Sequence, residues 1–412
     1  MYVCFNRDVF IFKSMKYFIS VEYLTYKETQ CIAFRIVCVA LVILFIVNPI
    51  IGTLCTLFLS FATQDKHFAV LDVILLSLLM WLIQSTRSFD MNEPSDWAFN
   101  YVINFSLIEN LSFIQYILFT GKEIAWQIEN YIGYLIWGKF LPFGNFIVAL
   151  TYFFTFLSSY IYWKSTKRSI RTLVASLILF AFISEVSGIS NNLLRQQFAM
   201  SIMLYVLVCK AVYNKVNWFF MLVALFTHSM TVLFIPFLFV NIAVRPSRKM
   251  IFIILIGLIF FGLLMRVAQG FSGIYILARL GSASDYGGSD VIDTSVVYPF
   301  LAVTIVLYLK IIVKDKCTYP NTLFICNIFL LLILLCLAFQ DMPLVQIRYF
   351  ITRFFFLPLV IPYFFRQKEF WNNIYLACIC IFFLYRYIQT ESNWLAPFDE
   401  LFTRTIFQFS IV

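Results

Sequence analysis

Charged residues are scarce in this chain. Asp, Glu, Lys and Arg make up only 12% of its 412 residues, whereas 62% are hydrophobic and the mean hydropathy is +0.89. Soluble domains are about a quarter charged, so this composition excludes an ordinary water-soluble protein. Apolar runs of roughly 17–25 residues recur instead, and each is long enough to cross a bilayer core of about 30 Å as a helix.

Motifs of common soluble enzymes are missing as well. No P-loop, GxGxxG or GxSxG element occurs, so nothing supports an ATP-driven enzyme or a serine hydrolase. The ten cysteines form no CxxC pair, and no His/Asp/Cys spacing is typical of a metal site. The net charge of +9 is spread over short loops and does not indicate nucleic-acid binding. We therefore expect neither a metal nor a cofactor.

The predicted fold class is all-α. We expect a polytopic transmembrane helical bundle of about 11 spans (range about 10–12), with broken or re-entrant helices near the active site. No internal repeat divides the chain, so residues 1–412 form a single integral membrane domain. The candidate spans lie near 36–61, 68–84, 143–163, 171–186, 195–213, 217–240, 250–269, 296–313, 322–340, 349–365 and 371–389. Asn48-Pro49 leaves open whether the first of these is split.

Lys and Arg clusters predict which side of the membrane each loop occupies. The clusters near 164–171, 310–316 and 366–368 are typical of cytoplasmic loops. Counting spans from these clusters makes 85–142 and 270–295 external loops.

The basic residues at 245–249 conflict with a single crossing at 217–240, which would place them outside. The conflict disappears if this segment enters and leaves on the cytoplasmic side as two short helices broken around His228. Non-helical backbone at membrane depth is tolerated only inside protein or beside a cavity. We therefore predict His228 at the tip of such a break.

Two ionisable side chains stand in apolar runs near the middle of the chain. A charge near the bilayer centre costs a few kcal/mol or more, so it persists where it meets a partner, a cavity or an anionic substrate. Arg195 opens one run, where its guanidinium group could clamp a phosphate or snorkel to the interface. His228 lies in the next run, where its imidazole could take a proton from a hydroxyl or simply pack.

Three more arginines are expected at the outer side. Arg348 and Arg353 flank the outer end of a very apolar helix, and Arg87 closes the second span. Asp341 offers Arg348 an ion-pair partner, whereas Arg353 has no obvious partner nearby in sequence, which favours a functional role. Several arginines around one cavity would suit a substrate that carries pyrophosphate.

Carboxylates and aromatic rings are mixed in the predicted external loop 85–142. Asp90 or Asp96 could orient Arg87 or act as a base. Such mixtures suit sugar rings, which stack on aromatic faces and hydrogen-bond through their hydroxyls. Aromatic residues are also common as interface anchors, so this pattern alone is weak.

With these features the sequence resembles the polysaccharide polymerases of the EpsG/Wzy type, which include O-antigen polymerases. Four elements between about residues 80 and 240 carry the resemblance: Arg87-Ser-Phe-Asp90 with Asp96 and Tyr101, Glu129-Asn-Tyr-Ile-Gly133-Tyr134, Asn192-Leu-Leu-Arg195-Gln196-Gln-Phe-Ala199, and Ala224-Leu-Phe-Thr-His228-Ser229. Ser88-Phe89 replace the family's usual glycine before the first Asp. This leaves open whether Asp90 or Asp96 matters.

The resemblance implies an enzyme that moves a growing glycan from undecaprenyl pyrophosphate to the next lipid-linked repeat unit. It implies a multi-pass protein of the bacterial inner membrane with its active site facing the periplasm and a chain-length regulator as partner. No metal or nucleotide is implied, because the bond energy resides in the lipid-linked oligosaccharide. The implied site residues are Arg195, Arg348, Arg353 and, as an outside candidate, Arg87 for pyrophosphate; His228 for the base or acceptor-orienting group, with Asp96 as runner-up; and Asp90, Tyr101 and Glu129 for the glycan.

Other functions remain as alternatives. A lipid-linked oligosaccharide flippase would have about 12 or more regular spans, pseudo-symmetric halves and short external loops, and the acidic-aromatic loop argues against it. An O-antigen ligase shares much of the chemistry but usually carries one large late external loop, where this chain offers only the segment 270–295. An acyltransferase would need a histidine base beside an acidic partner, and His228 has none nearby in sequence.

Overall fold

The structure is a computed structural model that describes residues 32–87, 101–120, 123–166, 168–183, 186, 193–239, 256–257, 260, 320–338, 343–365, 370–391 and 395–409. Within these ranges every regular element is a helix and none is a strand. Several of the helices are long and apolar enough to cross a membrane. The prediction of an all-α helical membrane bundle is therefore confirmed.

The described helices are numbered in chain order. They are α1 Ile32–Val47, α2 Pro49–Thr63, α3 Ala69–Ser85, α4 Ile103–Ser106, α5 Phe113–Thr120, α6 Ile124–Trp137, α7 Phe140–Ser165, α8 Ile170–Phe182, α9 Leu194–Tyr213, α10 Trp218–Thr227, α11 Ile235–Phe239, α12 Pro320–Ala338, α13 Pro343–Thr352, α14 Leu357–Phe364, α15 Phe370–Glu391 and α16 Phe398–Leu401. Short 3-10 turns precede α3 (Lys66–Phe68), follow α4 (Leu107–Asn110), join α10 to α11 (Ser229–Phe234), join α13 to α14 (Arg353–Phe355) and close the chain (Ile406–Gln408).

Four of these segments qualify as complete membrane spans by length and composition. They are Lys66–Ser85, Phe140–Ser165, Leu194–Tyr213 and Trp371–Thr390. The candidate spans at 250–269 and 296–313 lie almost entirely outside the described residues, so the total of about 11 spans stays a prediction.

The long helix α7 is the centre of the described bundle, and α3, α8 and α9 pack against it. Its buried face carries Thr151, Thr155 and Ser158, and each hydroxyl donates to the backbone carbonyl four residues earlier. Lipid provides no hydrophobic driving force between helices, so short side chains of this kind stabilise the bundle by allowing close van der Waals packing. This packing holds α9 against α7.

The run predicted at 36–61 is split, as Asn48-Pro49 left open. Asn48 leaves the helical backbone conformation (φ −149°, ψ 102°), and its side chain accepts the backbone N–H of Ile51 at 2.9 Å. Pro49 then begins α2, a position where its missing N–H would have had no partner within the helix.

The two halves of this first run fold back on each other. A Cβ atom on Gly52 would lie 2.4 Å from the Cα of Phe45, so only glycine permits α1 and α2 to approach this closely after the turn. At the other end, the ring of Phe34 lies 5.0 Å from that of Phe68. The start of α1 therefore lies beside the 3-10 turn that follows α2, and α1 and α2 form a helical hairpin.

A second helical hairpin confirms the break predicted around His228. Helix α10 ends at Thr227, and His228 is extended (φ −155°, ψ 126°) before the 3-10 turn begins. The hydroxyl of Thr231 donates to the carbonyl of Ala224 at 3.1 Å, which closes the turn.

The apolar run predicted at 349–365 is interrupted too. It begins earlier, at the start of α13, and the 3-10 turn Arg353–Phe355 separates α13 from α14. Pro358 lies in the first turn of α14 and has no backbone N–H to donate to a carbonyl of the turn before it. The sequence did not predict this third break, although the proline that accounts for it is visible there.

The predicted external loop 85–142 is mostly helical where the structure describes it. Helices α4 and α5 both pack against α6, and α6 also packs against α7 and α10. Tyr101, Phe105, Tyr116 and Trp126 are buried in this region. The loop predicted at 270–295 lies outside the described residues.

Candidate active site

Arg195 lies in the first turn of α9 and turns towards protein partners. Its Nη1 atom is 2.5 Å from Oε2 of Glu123, and its guanidinium carbon is 5.5 Å from the ring centroid of Tyr101. Tyr101 is itself buried, edge-on to Trp126 with their centroids 5.7 Å apart. Glu123, directly before α6, and Tyr101, shortly before α4, thus both contact this guanidinium group.

His228 reaches the same place from the tip of the second hairpin. Its imidazole is buried, with Nε2 3.8 Å from Oε1 of Glu123. Its Nδ1 atom accepts the backbone N–H of Met230 at 3.2 Å. One carboxylate, that of Glu123, therefore faces both Arg195 and His228. We call Arg195, Glu123 and His228 the tip cluster.

Arg348 belongs to the surroundings of the tip cluster. The guanidinium groups of Arg195 and Arg348 are both close enough to His228 to act on its imidazole electrostatically. The hydroxyl of Thr352, one turn after Arg348, lies 3.7 Å from Sδ of Met230. The α13–α14 break therefore packs against the α10–α11 break. Two sequence-distant arginines, Arg195 and Arg348, thus act electrostatically on one histidine.

Arg353 is buried in a different environment. Only 2% of its surface is exposed, and its guanidinium carbon lies 3.7 Å from the ring centroid of Phe350 and 4.7 Å from that of Phe354. Its charge also acts on Cys336 of α12. Aromatic faces compensate part of the lost hydration of a guanidinium group. The described contacts thus place Arg353 among aromatic rings.

A second carboxyl group lies beside the tip cluster. The hydroxyl of Thr227 donates to Oε1 of Glu129 at 2.9 Å. Within the described residues, Oε2 of Glu129 is buried and has no hydrogen-bond partner. Helix α6, which carries Glu129, is not among the helices that are apolar enough to span the membrane. Burial raises the pKa of Glu129 to about 8, while the Thr227 hydrogen bond acts in the opposite direction.

Tyr116 provides a neutral hydroxyl near Arg195. It is fully buried, and burial raises its pKa to about 12, while Asn130 and Arg195 act in the opposite direction. This hydroxyl stays protonated at neutral pH and can donate a hydrogen bond, but it is not a base.

Helices α5 and α6 present an apolar face outward, next to the tip cluster. The inward side of α6 carries Gln127, Glu129 and Asn130, the reverse of the usual arrangement in a water-soluble protein. The exposed apolar side chains are Phe113, Ile114, Leu118 and Phe119 on α5 and Ile124, Ile128, Ile132, Leu135 and Ile136 on α6. A face of this composition is suited to contact with lipid rather than water.

Comparison with known proteins identifies the family. A model of the EpsG family matches residues 70–398, which is most of the chain. The chain belongs to the EpsG family. No curated protein and no solved structure matches it. EpsG membership confirms the resemblance found in the sequence and supports a polysaccharide polymerase in general.

The EpsG match covers every residue of the tip cluster. Of the sequence-predicted residues, the structure brings Arg195, His228 and Tyr101 to one place and puts Glu129 beside them. Arg348 lies within electrostatic range of His228. Arg87 follows α3, at an end that contacts α15 through the Gln84–Tyr387 hydrogen bond at 3.2 Å. Asp90, Asp96 and Asp341 lie outside the described residues.

Glu123 was missed as a site residue in this EpsG chain. In sequence it is one of several carboxylates in the 85–142 loop, and only the fold brings it to Arg195 and His228. His228 has no acidic partner nearby in sequence, which is evidence against an acyltransferase. The fold brings Glu123 to His228 as such a partner, so the family match alone distinguishes a polysaccharide polymerase from an acyltransferase.

Proposed function

We propose that this EpsG chain polymerises repeat units carried on undecaprenyl pyrophosphate. It would transfer the growing glycan from one lipid carrier to a sugar hydroxyl of the next lipid-linked unit. The observation that carries the proposal is the tip cluster of Arg195, Glu123 and His228 beside the outward apolar face of α5 and α6. Charge for a pyrophosphate and an apolar surface for an isoprenoid are adjacent there.

Arg195 and Arg348 are proposed to bind the pyrophosphate. Both guanidinium groups act electrostatically on His228, and paired N–H donors match phosphate oxygens. As the glycan leaves, negative charge grows on the pyrophosphate. Fixed positive charge at that point is often worth several kcal/mol of transition-state stabilisation. Arg353, from among its aromatic rings, and Arg87 are further candidates for the same role.

The glycan is proposed to occupy the polar region around Tyr101 and Glu129. Within the described part of the chain, the buried amide of Gln196 and Oε2 of Glu129 have no hydrogen-bond partner. Buried polar atoms are nearly always satisfied, so a hydroxyl-rich ligand suits these atoms. Asp90 and Asp96 are proposed to contribute from the preceding segment.

His228 is proposed to orient the acceptor sugar. Its position at the hairpin tip lets its imidazole face Glu123 while the rest of the hairpin packs in the bundle. The proposed reaction needs neither metal nor nucleotide, because cleavage of the bond between the anomeric carbon of the donor and its pyrophosphate supplies the free energy.

The outward apolar face supports a lateral route for the isoprenoid chain. A long isoprenoid remains in the bilayer while its pyrophosphate reaches Arg195, so the site is open towards lipid in this proposal. The setting is the bacterial inner membrane with the tip cluster facing the periplasm, together with a chain-length regulator in the same membrane.

Deletion of the gene tests the proposal through the surface glycan. The expected result is loss of the polymer ladder on a gel, with surviving molecules capped by a single repeat unit. Wild-type protein and Arg171→Ala restore the ladder, whereas Arg195→Ala does not. Arg171 is a matched control because it donates to the Phe61 carbonyl at 3.1 Å, away from the tip cluster.

Two other results would point to other functions. Lipid-linked repeat units that accumulate on the cytoplasmic face would indicate a flippase. Normal ladders that remain on the lipid carrier and never reach the final acceptor would indicate a ligase. Either result contradicts the proposed polymerase.

A further inference from the structure

Glu123 occupies an unusual local position. It stands directly before α6 with a left-handed backbone (φ 53°, ψ 63°), which a residue with a side chain adopts only at some cost. Shorter polar side chains such as that of Asp commonly cap a helix from this position, but the carboxylate of Glu123 makes no such hydrogen bond. Its side chain turns instead to Arg195 and His228. The left-handed backbone and the missing cap lower the local stability of the helix start, and they place this carboxylate in the tip cluster.

The hydrogen bonds of His228 determine what it offers to Glu123. The backbone N–H of Met230 points at Nδ1, so that nitrogen accepts and the neutral imidazole carries its proton on Nε2. Nε2 is the atom that faces Glu123. His228 therefore presents an N–H donor to Glu123. In the tip cluster, the lone pairs that can accept a proton from a substrate belong to the carboxylate of Glu123.

We infer that Glu123 is the catalytic base for the acceptor hydroxyl, and that its pairing with Arg195 is exchanged when substrate binds. This inference rests on the proposed polymerase function. In the free enzyme, the carboxylate of Glu123 neutralises Arg195. The incoming pyrophosphate takes over Arg195, and the released carboxylate is held by the Nε2–H of His228.

The chemical step balances with these groups alone. The acceptor hydroxyl passes its proton to a carboxylate oxygen of Glu123 while its oxygen forms the new bond to the anomeric carbon of the donor. The bond between that carbon and the pyrophosphate oxygen breaks, and the pyrophosphate keeps the electron pair beside Arg195 and Arg348. The proton on Glu123 then leaves to water or to the departing pyrophosphate.

The test uses the full-length protein in lipid nanodiscs with lipid-linked repeat units extracted from cells that lack it. Glu123→Gln keeps the size of the side chain but removes the base. The expected loss of turnover is about 10²–10⁴-fold, the usual contribution of a general base. Binding of undecaprenyl pyrophosphate stays equal or becomes tighter, because no carboxylate competes for Arg195. Glu109→Gln, an exposed carboxyl of the same region, keeps wild-type turnover and binding.

Chemical rescue separates a base from a structural residue. Glu123→Ala leaves space for a small carboxylate, so added formate restores part of the turnover in this variant and has no effect on wild type. If Glu123→Gln keeps turnover within about threefold of wild type, the base assignment is wrong while polymerase function stands. If Glu123→Ala binds undecaprenyl pyrophosphate normally but formate restores nothing, the assignment is also wrong. If wild type itself forms no polymer, the proposed function has failed.

Discussion

The ring of Phe143 lies directly on Gly133. A Cβ atom at Gly133 would be 2.3 Å from Cδ2 of that ring, far inside van der Waals contact. Gly133 is thus the point where α6 rests on α7. Because Glu123 and Glu129 belong to the same α6 region, this contact sets their distance from Arg195 and Thr227.

Gly133→Ala should destabilise the protein and reduce its activity together. The added methyl group must displace the Phe143 ring or α6, which costs about 1–3 kcal/mol in a packed interior. Thermal unfolding in detergent measures the loss. Phe143→Leu combined with Gly133→Ala should recover part of it, since leucine lacks the ring. If the double variant is as unstable as the sum of the two single variants, Gly133 and Phe143 are not coupled.

The second hairpin predicts the sidedness of its flanks. The ring centroids of Trp218 and Phe239 are 5.8 Å apart, so the first and last described residues of the hairpin lie together. In a cysteine-free background, Lys215→Cys and Arg248→Cys should both react with a membrane-impermeant maleimide only after the cells are opened. Glu109→Cys should react in intact cells. Labelling of Arg248→Cys in intact cells would contradict the re-entrant arrangement.

The pKa of Glu129 predicts how stability depends on pH. This pKa is about 8 in the folded chain and lies well above its ordinary value because of burial. The folded state therefore holds the proton more tightly than the unfolded state. The contribution of Glu129 to the free energy of unfolding is therefore complete below the ordinary carboxyl pKa and is lost as pH rises towards 8.

Glu129→Gln, which cannot ionise, should flatten that dependence. We expect the melting temperature of wild type to fall more steeply than that of Glu129→Gln between about pH 5 and pH 8. Glu109→Gln, which changes an exposed carboxyl group, should keep the wild-type slope. Identical slopes for wild type and Glu129→Gln would show that Glu129 ionises normally.

His228 and His67 are the only two histidines, and they provide a matched comparison. His228→Ala removes the donor that faces Glu123, so polymer synthesis should fall by about 10²-fold or more. His67→Ala changes an exposed ring whose partner is Asp65 at 2.6 Å, and activity should be unchanged. Gel analysis of surface glycan at equal protein levels measures both. Full ladders with His228→Ala would remove His228 from the site.

Much of the fold was predictable because lipid imposes a simple rule on sequence. Apolar runs of membrane length must be helices, and the basic residues at 245–249 required the chain to turn back around His228. The close approach at Gly52 was not predictable, because it depends on which helix backbones meet. The Arg353 break was missed although Pro358 marks it, since the apolar residues on either side of Thr352 and Arg353 read as one continuous run in the sequence.

The site was predictable only in part, for a related reason. Arg195 and His228 stand out because ionisable groups are costly among apolar neighbours. Glu123 lies in a segment with many carboxylates, so nothing local distinguishes it. Its position depends on the packing of α6 against α7 and α10, which brings together residues about 70 to 100 positions apart.

The most direct test of the account is the stoichiometry of the reaction in a purified system. Protein in liposomes receives lipid-linked repeat units, and undecaprenyl pyrophosphate and glycan length are measured together. We predict one undecaprenyl pyrophosphate released for every linkage formed with wild-type protein, and neither product with Arg195→Ala. Movement of repeat units across the bilayer with no undecaprenyl pyrophosphate released would contradict the account.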